Sequence, residues 1–211
     1  MEQTVVITGA DEPMGARTAT AFDATGAHVV LGGRDRSALE AHARSLDTGT
    51  VLRADERDEF DQERLMEVAS RAGGGIDVVV PAATIRHGDA GTATLPETSY
   101  SAYDDTLRAN ARGAFAAIRE AVPHLNEGAR IVVPVVDQAD RTGAGPFAVA
   151  DAARRAIVEG FASDLPVAVG GVAVPDPTTE ADQATAADLI VRASEHPDLD
   201  GTILAAGALE D

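Results

Sequence analysis

Thr4-Val5-Val6-Ile7-Thr8-Gly9-Ala10-Asp11-Glu12-Pro13-Met14-Gly15 decides how the rest of this chain is read. Residues 4–8 carry no charge and are all β-branched, as expected of a strand, and Val78-Val79-Val80 and Ile131-Val132-Val133 are continuously apolar, as expected of strands covered on both faces. After Thr8 comes a glycine turn, and then residues of helical period. Such a turn aims backbone N–H groups and a helix N-terminus at a diphosphate. Gly9 stands where the tight turn needs a glycine, and Gly15 where the helix must pack closely on the sheet. Pro13 takes the place of the middle glycine, removing an N–H and adding a ring against an approaching phosphate. Asp11 and Glu12 add negative charge there, each costing on the order of 2–4 kcal/mol against a phosphate at an effective dielectric near 20. Two readings stay open: a diphosphate-binding turn, or a turn kept for folding with its ligand site degraded.

Outward from this turn, short apolar runs alternate with longer stretches of helical period. The strands are predicted at 4–8, 27–31, 50–53, 76–80, 130–136, 167–174 and 202–206. Helices are predicted over about 14–25, 36–46, 59–72, 98–125, 147–163 and 181–195. Strict alternation argues a parallel sheet wrapped by right-handed crossovers. The expected fold is a Rossmann-type, doubly wound α/β domain spanning 1–211, with a mainly parallel seven-stranded sheet and helices on both faces.

Charge narrows the partners. Acidic residues number 35 against 17 basic ones, a net charge of −18, and every basic residue is arginine. A field of this sign repels nucleic acid and anionic membranes. Two origins fit the excess: a protein adapted to concentrated salt, where screening quenches self-repulsion, or an acidic surface from an arginine-rich genome. With no cysteine, disulfides and thiolate chemistry are excluded. The five histidines, His28, His42, His87, His124 and His196, lack metal-ligand spacing, so no metal is expected. No basic leader precedes residue 4 and no apolar run approaches ~20 residues, so a soluble, cytoplasmic protein is expected.

At the end of the second predicted strand, Gly32-Gly33-Arg34-Asp35 lacks the acidic residue that would hold a ribose 2′-hydroxyl. Arg34 could pair with a 2′-phosphate instead, which favours NADP over NAD if either binds. Equally, Arg34 reads as a solvated residue opening the next helix.

In the order and spacing of these segments the chain resembles the short-chain dehydrogenase/reductase family over essentially its whole length. Family members carry Thr-Gly-x-x-x-Gly-x-Gly in the first turn, matched here by Thr8, Gly9 and Gly15. The resemblance places Asp55 near an adenine ring. Ile76-Asp77-Val78-Val79-Val80 is similar to the fourth strand, and the Asn-Asn-Ala-Gly after it is matched at Ala83 alone. Asn110 matches the helix asparagine of the family's proton relay, and Ala156-Ile157-Val158-Glu159-Gly160-Phe161 resembles the helix that carries its tyrosine and lysine.

That resemblance implies a tyrosine phenol passing a proton to or from the substrate oxygen. A lysine four residues on lowers its pKa, and a serine steadies the substrate. Here the tyrosine position holds Asp151 and the lysine position Arg155; the serine position holds Val136 or Gln138, depending on the direction of counting. A chain without lysine cannot contain Tyr-x-x-x-Lys. An ordinary aspartate, with a pKa near ~3.9, has no proton to give at pH 7. Asp151 and Arg155 read better as an i,i+4 helix ion pair, worth a few tenths of a kcal/mol. Tyr100 and Tyr103 read as packing or rim residues, and Asp55-Glu56-Arg57-Asp58-Glu59 as a solvated helix start. Only a short connection follows Pro175, leaving little material for a lid over a substrate.

Two functions remain. One is a non-catalytic binding or subunit scaffold that still holds a dinucleotide weakly, NADP ahead of NAD. The other is an NADP-dependent oxidoreductase of carbonyl-reductase or alcohol-dehydrogenase type with a rearranged active site. The resemblance also implies a homo-oligomer, dimer or tetramer, paired through the helices matching 98–125 and 147–163.

Overall fold

The computed structural model describes residues 3–84, 94–136 and 145–209. Seven parallel strands lie in the order β3-β2-β1-β4-β5-β6-β7. They are β1 (Thr4–Thr8), β2 (His28–Gly33), β3 (Gly49–Arg53), β4 (Ile76–Pro81), β5 (Leu125–Val136), β6 (Ala168–Val174) and β7 (Ile203–Leu204). The helices are α1 (Pro13–Asp23), α2 (Arg36–Ala43), α3 (Glu59–Gly73), α4 (Tyr100–Leu107), α5 (Gly113–Ala121), α6 (Gly145–Asp164) and α7 (Glu180–Glu195).

Side chains alternate across the sheet with the period of two that strand geometry imposes. Val5, Ile7, Val29, Leu31, Val78 and Val80 pack on one face against Met14 and Phe22 of α1, Leu39 of α2 and Ile190 of α7. Val6, Val30, Val79, Ile131 and Val133 pack on the other against Leu65 and Met66 of α3, Ile118 of α5 and Val158 of α6. The expected doubly wound architecture is therefore the one observed.

Local chemistry explains where most helices start. Asp35 caps α2 by accepting from Ser37 and Ala38 N–H, and Asp58 caps α3 by accepting from Phe60 and Asp61 N–H. Pro13 opens α1, where its fixed φ suits a first turn and its missing N–H costs nothing to the helix.

The helix expected over 98–125 is broken. Between α4 and α5 the backbone is π-helical over Arg108–Arg112. After α5 comes a 3-10 turn, Val122–His124, in which Pro123 cannot continue the helical hydrogen bonds. β5 accordingly begins at Leu125, earlier than expected. The link from β6 to α7 is residues 175–179 only, shorter even than the sequence suggested.

Candidate functional site

In an open parallel sheet the ligand crevice lies beyond the C-terminal ends of the strands, where the strand order reverses. Here that point falls between β1 and β4. The two ends are closely joined: Ala82 N–H donates to Thr8 C=O at 3.2 Å. Gly9 has φ +66°, and a Cβ there would meet the Ala83 Cα at 2.6 Å. A Cβ on Gly15 would meet the Gly9 carbonyl oxygen at 2.3 Å. Both glycines are thus required by protein packing, whatever binds above them. Ala83 is buried against Ala109.

At the end of β2 the chain's own carboxylates occupy the donors. Asp11 Oδ2 accepts from Arg34 N–H at 3.0 Å and from Asp35 N–H at 2.9 Å. Its carboxylate lies so near Gly33 that a Cβ on that residue would sit 2.2 Å from Asp11 Oδ1. Arg34 places Nη2 3.3 Å from Glu12 Oε1 and Nε 3.7 Å from Glu56 Oε2. Glu12 precedes α1 without capping it; its carboxylate is turned to Arg34 instead. The alternative of a freely solvated Arg34 is therefore not what forms.

Glu56 corrects the expectation of a solvated acidic helix start. It is 1% exposed, and neither carboxylate oxygen has a hydrogen-bond partner on another residue. Burial lifts its pKa to about 7; its own backbone N–H and Arg34 oppose the rise, and Asp11 and Asp55 add to it. Its neighbour Asp55 behaves oppositely. Arg57 donates to both Asp55 oxygens, at 2.9 and 2.7 Å, and this pairing holds the carboxyl down to about 2. The carboxylate that the resemblance assigns to an adenine ring is thus engaged by Arg57.

The remaining candidates gather around α6. Asp151 is 4% exposed, and Oδ1 accepts from Val136 N–H at the end of β5 at 2.9 Å. Arg155 Nε lies 3.8 Å from its Oδ2. The i,i+4 pair forms as expected, yet it is no surface pair, because its carboxylate is buried and ties the helix to the sheet. Asn110 is buried in the π-helical stretch and donates from Nδ2 to Thr106 C=O at 2.9 Å. That stretch packs against α6. Such bulges often accompany functional sites. Tyr100 is 91% exposed, so it is not a packing residue. Gln138 and His87 lie outside the described residues.

Sequence reasoning missed Arg154. It is fully buried, donating from Nη1 to Pro134 C=O at 3.1 Å and from Nη2 to Pro81 C=O at 2.6 Å. Pairing of β4 with β5 runs through Val79↔Ile131, beyond which each strand carries a proline with no N–H to offer. Ala82 faces β1, so Pro81, pointing the other way, faces β5. The guanidinium supplies the donors that the two prolines lack. Burial lowers its pKa to about 10, with Asp151 opposing, so it stays cationic at neutral pH. Two prolines in adjoining central strands were the available signal.

As the residues stand, they fit a dinucleotide poorly. The diphosphate turn lacks one N–H at Pro13, the donors after β2 are held by Asp11, and Arg34 and Asp55 are engaged by their own ion pairs. Among the described residues, no cluster of His, Asp or Glu is arranged to hold a metal, and no helix is long and apolar enough to cross a membrane.

Strand order, first turn and crevice define a doubly wound α/β protein of the nucleotide-binding architecture. The chain belongs to the short-chain dehydrogenase/reductase family: a family model described as "Enoyl-(Acyl carrier protein) reductase" matches residues 9–175. Among relatives, it is 34% identical over 137 residues to the short chain dehydrogenase/reductase AacuN of Aspergillus aculeatus, covering 62% of this chain and 50% of that protein. It is 27% identical over 128 residues to an uncharacterized oxidoreductase of Staphylococcus aureus, covering 60% of this chain and 54% of that one. The chain thus spans about half the length of the curated relatives it matches. Of solved structures, a short chain dehydrogenase from Burkholderia cenocepacia in complex with NADP superposes with TM-score 0.84 at 24% identity, covering 96% of this chain and 95% of that one. A family member from Brucella melitensis gives 0.85 at 24% identity and 99% of both chains. Likeness at these identities establishes the fold, and the chemistry has to be argued from the site.

Proposed function

We propose that this chain is a non-catalytic member of the family, a binding or subunit scaffold built on the family fold. The observation that carries the reading is the state of Asp151. At the position where the resemblance puts the phenol, a carboxylate is turned into the protein, accepts from Val136 N–H and pairs with Arg155. A group engaged in this way holds the end of β5 against α6, and its role is positional. A general acid or base must instead reach the proton it transfers, at roughly 2.6–3.2 Å.

A dinucleotide, where it binds, binds weakly, with NADP ahead of NAD because Arg34 follows β2, where an arginine accommodates a 2′-phosphate. In this reading the long helices α4–α5 and α6 pair across a two-fold axis in a dimer or tetramer. Of the small residues of α6, Ala148, Ala152, Ala153 and Ala156 reach the surface and permit close helix approach, whereas Ala150 is buried within the chain.

The second reading, an NADP-dependent oxidoreductase with a rearranged active site, is favoured by family membership and by relatives named as oxidoreductases. A panel of ketones, aldehydes and secondary alcohols with both cofactors, followed at the reduced nicotinamide band, separates the two. The scaffold reading expects no turnover by the chain or by Asp151→Asn. Turnover lost on Asp151→Asn assigns the carboxylate to catalysis; turnover untouched by it places an active site elsewhere. Either result overturns the scaffold reading.

A further inference from the structure

We propose that Arg34 is a masked receptor for a ribose 2′-phosphate, and that Glu12 and Glu56 are the residues that mask it. The proposal rests on the reading above, in which a dinucleotide retains weak access to the first turn. Arg34 follows the second strand of a doubly wound sheet, where an arginine accommodates a phosphorylated ribose. It is not available there. Glu12, from the turn before α1, stands 3.3 Å from one terminal nitrogen, and Glu56, from the segment after β3, stands 3.7 Å from Nε.

Glu56 is the informative partner. A carboxylate that is 1% exposed and finds no hydrogen-bond donor on another residue is costly to keep, and packing alone would favour an apolar side chain. The cation beside it is Arg34. Asp11 completes the arrangement by taking the Arg34 and Asp35 N–H groups, the two donors a phosphate would otherwise meet at this turn. Three carboxylates from two segments thus stand around one guanidinium and its backbone. An incoming phosphate must displace Glu12 from Arg34 and approach against the charges of Asp11 and Glu56. A ligand with an unphosphorylated ribose has no need of the guanidinium and meets Glu12 only as a charge facing the diphosphate, so the mask acts more strongly on the phosphorylated ligand. The three carboxylates therefore set which ribose the site can take, with Arg34 held in reserve.

The test is calorimetric titration of the full chain with NADP and with NAD at pH 8 and fixed KCl. At that pH Glu56 is ionised, given that burial, Asp11 and Asp55 raise it while Arg34 lowers it. Glu12→Gln, Glu56→Gln and the double variant are compared with the unaltered protein, each checked for an intact unfolding transition. Glu56→Gln is expected to tighten NADP and leave NAD unchanged, and in the double variant the gain for NADP is expected to exceed that for NAD on the order of tenfold. Adding Arg34→Ala is expected to abolish that excess. Glu12→Gln alone is expected to give a smaller excess of NADP over NAD. Equal tightening of NAD and NADP overturns the mask while leaving the dinucleotide reading intact. Unchanged weak binding of NADP also overturns the mask alone. Absence of binding by every variant overturns both.

Discussion

Glu56→Gln should make this protein more stable, and by an amount that depends on pH. In the folded chain Glu56 ionises at about 7 against an ordinary 4.5, chiefly because burial disfavours its charge. Below the ordinary value both folded and unfolded chains carry the proton, and the residue costs nothing. Between 4.5 and about 7 the unfolded chain gives up its proton while the folded chain keeps it, so stability falls as pH rises. Above that window the loss is complete and amounts to roughly 3 kcal/mol. Glutamine is neutral throughout and resembles the protonated acid in shape. Any cost of placing its amide is the same at every pH, so the slope isolates the charge. Relative to the unaltered protein, Glu56→Gln should gain less than about 1 kcal/mol at pH 5 and roughly 3 kcal/mol at pH 8. For a chain of this size the larger figure corresponds to a Tm difference of about 6–12 °C. Thermal unfolding followed by circular dichroism, at matched ionic strength from pH 5 to 8, measures it. A difference that stays flat across this range would refute the reasoning.

Arg154→Met should destabilise the fold by roughly 2–5 kcal/mol in denaturant unfolding, because two buried carbonyls lose their donors; a variant as stable as its parent would remove the role given to Arg154 between β4 and β5. Melting temperature should climb steadily from dilute buffer into molar KCl as screening relieves repulsion among the 35 acidic residues, and equal values at low and high salt would remove the salt-adapted origin. Light scattering in high salt should return the mass of a dimer or tetramer, and a monomeric mass would count against pairing through α6.

The fold was legible because a few physical signals all agreed. Val78-Val79-Val80 and Ile131-Val132-Val133 have no polar position, which only a strand covered on both faces tolerates, and helical period fills the gaps between such runs. The break near Asn110 was not legible. No proline or glycine pair marks the π-helical stretch, and Ala109 and Ala111 suit a regular helix. The site was legible in its positions but not in its partners. Asp151 and Arg155 were paired by helical spacing, yet that spacing could not tell that Asp151 also meets Val136 on β5. Glu56 lies in a run of five charged residues, and local sequence alone reads such a run as solvated. Its burial depends on Arg34 and Gly113, which are brought beside it only by the fold. Arg154 stands next to another arginine on a helix and reads as surface for the same reason. What marks it are Pro81 and Pro134, far off in sequence, whose missing N–H groups become a problem only once β4 and β5 lie side by side.

A non-catalytic scaffold requires that Asp151 hold structure and transfer no proton. Deuterium transfer tests it with the greatest sensitivity. The full chain in molar KCl is incubated with 4-deuterated reduced nicotinamide cofactor, phosphorylated and unphosphorylated, and a mixture of ketones and aldehydes, and the alcohols are read by mass spectrometry. The account predicts no label above a protein-free control, for the chain and for Asp151→Asn alike. Deuterium in a product alcohol that disappears in Asp151→Asn, with the fold of that variant intact, would contradict it.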